Sequence, residues 1–244
     1  MAKRLKVQTL SLQNNLLSYL DRHDLALLQP HLEPVKLEQG NVVADAGDIV
    51  KHVHFPCGPC LISYLVVLPD GEEVEAGHVG REGAVGGIIS MGRLPAFTRC
   101  EVQVAGEALR LASADLQSAR TQSATLRDVL ARYADCQLAQ LYQSVACNAA
   151  HSVEQRAAKW LTSVVELTGS DKVAFRQEQL ALMFGVGRTY VTRVMARLAE
   201  AGAIQVQRGG VVVTDLEKLR QAACGCHNAV KHHFHEVLEG LYPG

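Results

Sequence analysis

Hydrophobic and polar positions divide the chain into three regimes. Between about residues 35 and 111 the stretches VKLEQGNVVADAGD, HVHFPCGPCLISYLVVLPDGEEVEAGHVG and CEVQVAGEALRL alternate apolar and polar side chains between Gly, Pro and Asp. Period-two alternation broken by such residues predicts short strands, and their even spacing predicts a jelly roll or barrel. Within it LPDGEE reads as a hairpin turn, because Asp-Gly accepts the positive φ angles of tight hairpins. A small helical lead-in is expected before the strands, from roughly Leu12 to His31.

From about Ser113 the period lengthens to that of a helix. Leu126, Leu130, Tyr133, Leu141 and Val145 mark one face of a long helix, with Val129, Leu138 and Tyr142 beside it. That is more apolar surface than one small barrel needs. The face either packs on its own barrel or is covered by a partner helix, such as the same helix of a second subunit. Another helix is predicted from SVEQ, where Ser152 and Gln155 can form a capping box, to Leu167, with Gly169 as its stop. The expected fold class is α+β in three parts. These are a β-roll (jelly-roll) unit with its lead-in at 1–112, a long dimerisation helix and hinge at 113–150, and a winged helix-turn-helix unit with a helical tail at 151–244.

The third part rests on QEQLALMFGVGRTYVTRVMARLAEAGAIQVQRGGVVV, residues 177–213. A short helix carrying Leu180, Met183 and Phe184 ends at Gly185, and a second begins after Gly187. In the second, Val191, Val194, Met195 and Leu198 fall at i, i+3, i+4 and i+7, one buried face, which leaves Arg188, Thr189, Thr192, Arg193 and Arg197 outside. Two helices joined by a tight glycine turn, the second with a basic outer face, are the helix-turn-helix pattern, sized for the DNA major groove. AIQVQRGGVVVT then supplies a hairpin in the position of a wing. Arg188 and Arg193 can donate paired hydrogen bonds to guanine, while Thr189, Tyr190 and Thr192 suit phosphates or a thymine methyl. Arg176 and Gln177 at the start of the first helix, and Arg208 in the wing turn, complete the candidate DNA-binding set. The alternative is an ordinary amphipathic helix with a solvated basic face.

Charge supports the division. Residues 35–110 hold ten acidic and six basic side chains, a net of −4, whereas residues 170–222 hold eight basic and five acidic, a net of +3. The basic end suits a polyanion. MAKRLKVQTLSL does not develop the apolar core of a signal peptide, so a cytoplasmic protein without a membrane partner is expected, with its seven cysteines as thiols or ligands.

At this point the chain resembles the Crp/Fnr family of bacterial transcription regulators, on FPCGPCLISYLVVLPDG, VGREGAVGG, VAGEALRL, ACNAAHSVEQRAAKWL and GVGRTYVTRVMARLAEAGAI. The resemblance implies a β-roll sensor, a dimerisation helix and a homodimer on a palindromic duplex operator. It also implies base reading at Arg188, Thr189 and Arg193, and contact with RNA polymerase if the protein is an activator. Where cyclic-nucleotide-binding members carry Gly-Glu and Arg-Ser/Thr pairs, this chain has Gly86-Gly87 and Ala96-Phe97, so cyclic nucleotide is not the expected ligand. Thr189 replaces a glutamate of the best-known members, so the operator does not carry over. The N-terminal cysteine cluster of Fnr has no counterpart, the first cysteine here being Cys57.

Three groups compete for the signal. Cys147-x3-His151 with Cys224-x-Cys226 offers three thiolates and an imidazole for zinc or an iron–sulfur cluster, provided the C-terminal segment folds back to the hinge. His52-x-His54-x2-Cys57-x2-Cys60 offers a metal or disulfide site, or only a turn. His227, His232, His233 and His235 fit a solvated terminal helix better than a site. The leading expectation is a non-enzymatic regulator answering a redox, metal or small-molecule signal. The alternatives are a thiol oxidoreductase using Cys57 and Cys60, and a ligand-binding module acting through protein contacts.

Overall fold

The computed structural model describes residues 2–88 and 94–242. Three helices open the chain, α1 (Ala2–Ser11), α2 (Asn15–Tyr19) and α3 (Arg22–Leu28). The lead-in thus begins well before the expected Leu12, because α1 is largely polar and buries chiefly Val7 and Leu10. Between α1 and α2, the fully buried Asn14 donates to the carbonyls of Pro56 and Gly83, both at 2.8 Å, and accepts from the Leu17 N–H.

The β unit is two four-stranded antiparallel sheets, the expected β-roll. One runs in the order β1 (Glu33–Leu37), β8 (Gly106–Ala112), β3 (His52–Cys57) and β6 (Val85–Gly86). The other runs β2 (Val42–Ala44), β7 (Arg99–Val104), β4 (Leu61–Val67) and β5 (Glu73–Val79). Leu37, Ile62, Val79, Val85 and Val102 fill one core cluster between them. LPDGEE is the β4–β5 turn, with Gly71 at φ 86°.

The helical stretch after the roll is two helices, α4 (Ser113–Gln122) and α5 (Ala124–Ala150). Ser123 breaks it by taking an extended conformation and capping the Leu126 N–H with its hydroxyl. α5 has 27 residues, about 40 Å of helix. Its predicted apolar face divides. Leu126, Leu130 and Tyr133 are buried. The Tyr133 hydroxyl accepts from the Ala84 N–H and donates to the Ala84 carbonyl, and the space it fills is why position 83 is glycine: a Cβ there would collide with the phenol. Leu138, Leu141, Tyr142 and Val145, further along, are 43%, 37%, 66% and 71% exposed.

The winged unit comprises α6 (Val153–Thr168), β9 (Lys172–Ala174), α7 (Gln177–Phe184), α8 (Arg188–Glu200), β10 (Ile204–Gln207), β11 (Gly210–Val213) and α9 (Leu216–Ala222), with its strands ordered β10-β11-β9. Both hydrogen bonds of the Ser152–Gln155 capping box form. Leu161, Val164, Val191, Val194, Met195 and Leu198 share its core.

The last helix, α10 (Cys226–Val237), departs from the expected solvated tail. It lies along α5, and Val230, Phe234, Leu238 and Leu241 join the core cluster formed by β3, β8 and the first helices. Asn15 donates to the Leu241 carbonyl at 2.7 Å, joining the two ends of the described chain. The reason is amphipathicity: apolar residues recur on one side while His232 and His235 stay exposed. Among the described residues no helix is long and apolar enough to cross a membrane. Replacing Phe234, almost fully buried, by Ala is expected to cost about 3–5 kcal/mol in urea unfolding. A loss under about 1 kcal/mol would show that α10 is not docked.

Candidate nucleic-acid interface and cysteine–histidine centre

α7 ends because Gly185 takes the left-handed conformation, φ 66°, its N–H closing on the Ala181 and Leu182 carbonyls. This turns the chain into α8, whose buried stripe faces the core and whose opposite side is open. Arg188, Thr189, Tyr190, Thr192 and Arg193 are all exposed there. The Arg193 guanidinium lies 5.1 Å over the Tyr190 ring, and the Thr192 hydroxyl donates to Gln177 at 3.0 Å. Arg188 meets Glu178 at 2.7 Å, but this pair is well exposed and worth at most about 1 kcal/mol, so a nucleic acid can displace it. Arg176 is exposed at the start of α7, and Arg208 is exposed at the wing tip, followed by Gly209 at φ 83°. All eight predicted DNA-binding residues therefore lie on α8, the start of α7 or the wing turn.

The second site forms where α10 returns to the end of α5. Cys147 Sγ is 3.5 Å from Cys224 Sγ, and Cys226 Sγ is 3.5 Å from His151 Nδ1; one donor atom from each residue lies within 4.8 Å of the others. The three cysteines form a small buried cluster of their own, and His151, the C-cap of α5, is half-buried. Burial pushes the Cys147 thiol up to about 12, against the opposing charge of Lys159. Gln143, one helical turn before Cys147, donates to Cys226 Sγ at 3.1 Å. Its i−4 spacing from Cys147 was the available signal for this residue.

Residues 155–222 match the family model of the Crp-like helix-turn-helix domain. The chain carries a Crp-like helix-turn-helix domain. FixK2 from Bradyrhizobium japonicum is similar with a TM-score of 0.65 at 12% identity, over 79% of this chain and 98% of that one. The c-di-GMP-responsive global regulator CLP of Xanthomonas campestris gives 0.63 at 15%, over 79% and 99%. A CRP/FNR-family transcriptional regulator of Thermus thermophilus, TTHA1359, gives 0.61 at 21%, over 78% and 98%. The fold is that of the Crp/Fnr-type regulators. No curated protein sequence matches the chain.

In this Crp/Fnr-type fold the Crp-like domain rests on the β-roll through polar contacts that the sequence did not disclose. His78 Nε2 is 2.7 Å from Ser163 Oγ and its Nδ1 3.0 Å from Glu75, which also accepts from the Trp160 indole at 3.2 Å. Behind them, Glu166 meets Arg220, His227 and Lys231 at 2.7–2.9 Å. Burial alone would raise its pKa. Hydrogen bonds from His227, Arg220 and Lys231 override that and hold the carboxyl well below its ordinary range. His227 is thus a buried partner of α6, a correction to its expected place on a solvated face.

His52, His54, Cys57 and Cys60 are not gathered into a metal-ligating group among the described residues. Alternate residues of β3 face opposite ways, so Cys57 joins Val53 and Phe55 in one core cluster, turned from His52 and His54, while Cys60, in the turn after β3, lies in another cluster. Burial pushes both thiols up to about 12, the reverse of an activated thiolate. His54 is pushed down to about 4 by burial and then by the charges of His52 and Arg110. A histidine held neutral in the fold contributes stability above its unfolded value of about 6.5, lost as pH falls toward 4. His54→Leu is therefore expected to lessen the fall in unfolding free energy between pH 7 and pH 4 by about 3 kcal/mol in urea titrations. An unchanged pH dependence would place the loss elsewhere.

Proposed function

We propose that the chain is a DNA-binding transcription regulator that acts as a homodimer on a palindromic operator. The observation carrying this reading is α8, whose buried stripe of Val191, Val194, Met195 and Leu198 leaves Arg188, Thr189 and Arg193 facing outward beside a wing tipped by Arg208. Arginine forks at these positions suit guanine edges, and the wing arginine suits a phosphate. The exposed Leu138, Leu141, Tyr142 and Val145 support pairing of α5 with its copy, which would set two recognition helices about one DNA turn, roughly 34 Å, apart. A cytoplasmic setting follows from the DNA partner, and RNA polymerase becomes a second partner if the regulator activates.

The signal is read as redox, metal or small-molecule. Phe97, in the position where cyclic-nucleotide-binding members hold a phosphate ligand, is 83% exposed and carries no charge to pair with a phosphate. The oxidoreductase reading loses support because the Cys57 and Cys60 thiols are both held protonated by burial.

Operator binding measured against salt tests the reading. Arg193→Ala is expected to weaken specific binding by about tenfold to a hundredfold, whereas Arg208→Ala weakens all duplexes alike and lowers the log–log salt slope by about 1. A protein that binds no duplex in any metal or redox state refutes the proposal. Aspartate at both Tyr142 and Val145 is expected to shift the protein from dimer to monomer in light scattering, and a persistent dimer would move the interface off this face.

A further inference from the structure

The Crp-like domain is joined to the rest of the molecule by two connections, and both carry ligands of the same cysteine–histidine group. The chain leaves α5 at Cys147 and His151, and it re-enters α10 at Cys224 and Cys226, on either side of Gly225. Residues 152–223 therefore form a loop whose neck is closed by four side chains.

Their spacing identifies what fits. Around one tetrahedral ion with metal–sulfur bonds of about 2.3 Å and metal–nitrogen bonds of about 2.0 Å, two sulfurs stand about 3.8 Å apart and a sulfur and a nitrogen about 3.5 Å. The 3.5 Å between Cys147 and Cys224 and the 3.5 Å between Cys226 and His151 match a single ion. A disulfide would need about 2.05 Å. The four terminal ligands of an iron–sulfur cluster are divided over two or four irons, so the set as a whole spreads wider than a group confined within 4.8 Å. The Gln143 amide, 3.1 Å from Cys226 Sγ, supplies the outer hydrogen bond that steadies a metal thiolate.

We propose that Cys147, His151, Cys224 and Cys226 bind one zinc-like divalent ion that clasps the outgoing and returning connections of the Crp-like domain at a single point. Three thiols release their protons to solvent as three metal–sulfur bonds form, His151 binds through Nδ1, and no electron is transferred. Three thiolates and a divalent ion leave one net negative charge, which Lys159 faces beside Cys147. With the clasp closed, the neck of the loop is fixed and α6 is held against β5 through the His78–Ser163 and Trp160–Glu75 contacts. With the ion removed, the two connections move independently and the recognition helices lose their common reference. Only this last consequence, for DNA, rests on the regulator reading.

The whole chain, purified without oxygen and loaded with zinc or cobalt(II), tests the site directly. One ion per chain is expected, with the strong visible bands of tetrahedral cobalt and thiolate-to-metal charge transfer, and both are lost in Cys226→Ala. Wild-type protein that takes up no zinc or cobalt, or that carries iron with acid-labile sulfide instead, overturns the proposal without reliance on any variant's folding. Hydrogen exchange at residues 147–153 and 222–228 is expected to accelerate when a chelator removes the ion. Unchanged exchange at both connections overturns the clasp. Arg193→Ala is expected to keep the ion and its cobalt spectrum while operator binding weakens by about tenfold to a hundredfold. One ion per chain without any duplex binding would uphold the site and refute the regulator reading, and duplex binding without an ion would do the reverse.

Discussion

The C-terminal helix and the residues just after it have to bury Val230, Phe234, Leu238 and Leu241, and the surface that receives them lies between α5 and the N-terminal helices. Burying a large apolar side chain stabilises by about 1.5–3 kcal/mol, and Phe234 adds an edge contact with Tyr242 at 4.9 Å between ring centres. This docking makes the chain double back. The Crp-like domain becomes an excursion from α5 that returns to α5, and the docking of α10 along α5 brings Cys224 and Cys226 to Cys147.

That constraint also organises charge. With α10 in place, Lys231 and His227 converge on Glu166 of α6, and Arg220 of α9 closes the group. A buried carboxylate is costly unless its lone pairs are filled, and here three donors from two helices fill them. Loss of any one would leave the buried carboxylate with fewer donors for its lone pairs. The network therefore ties the placement of the Crp-like domain to the placement of the C-terminal helix, in the same region as the cysteine–histidine centre.

Against this held interior the outer face of α8 is left free. The arginines of α8 make only exposed or aromatic contacts, all of which water or a nucleic acid can replace at small cost. The apolar side chains left open on the second half of α5 contrast with the buried first half. One helix thus supports the roll with one stretch and leaves apolar side chains of the next exposed.

Local pattern was enough to read much of this. Strand alternation, the Asp-Gly turn, the Ser152–Gln155 cap, the Gly185 turn and the stripe through Val191 and Leu198 all depend on residues within a few positions of one another, so their physics is visible in the order of the amino acids. Cys147 and His151 likewise stand one turn apart by sequence alone. The meeting of that pair with Cys224 and Cys226 was decided only by tertiary packing, because it depends on where Phe234 finds its groove. The same holds for Asn14, whose partners are 42 and 69 residues away, and for His227, buried by Glu166. At His52, His54, Cys57 and Cys60 the sequence left a metal or disulfide site open beside a plain turn; the described residues gather no metal-ligating group there, and Cys57 and Cys60 fall in two separate cores.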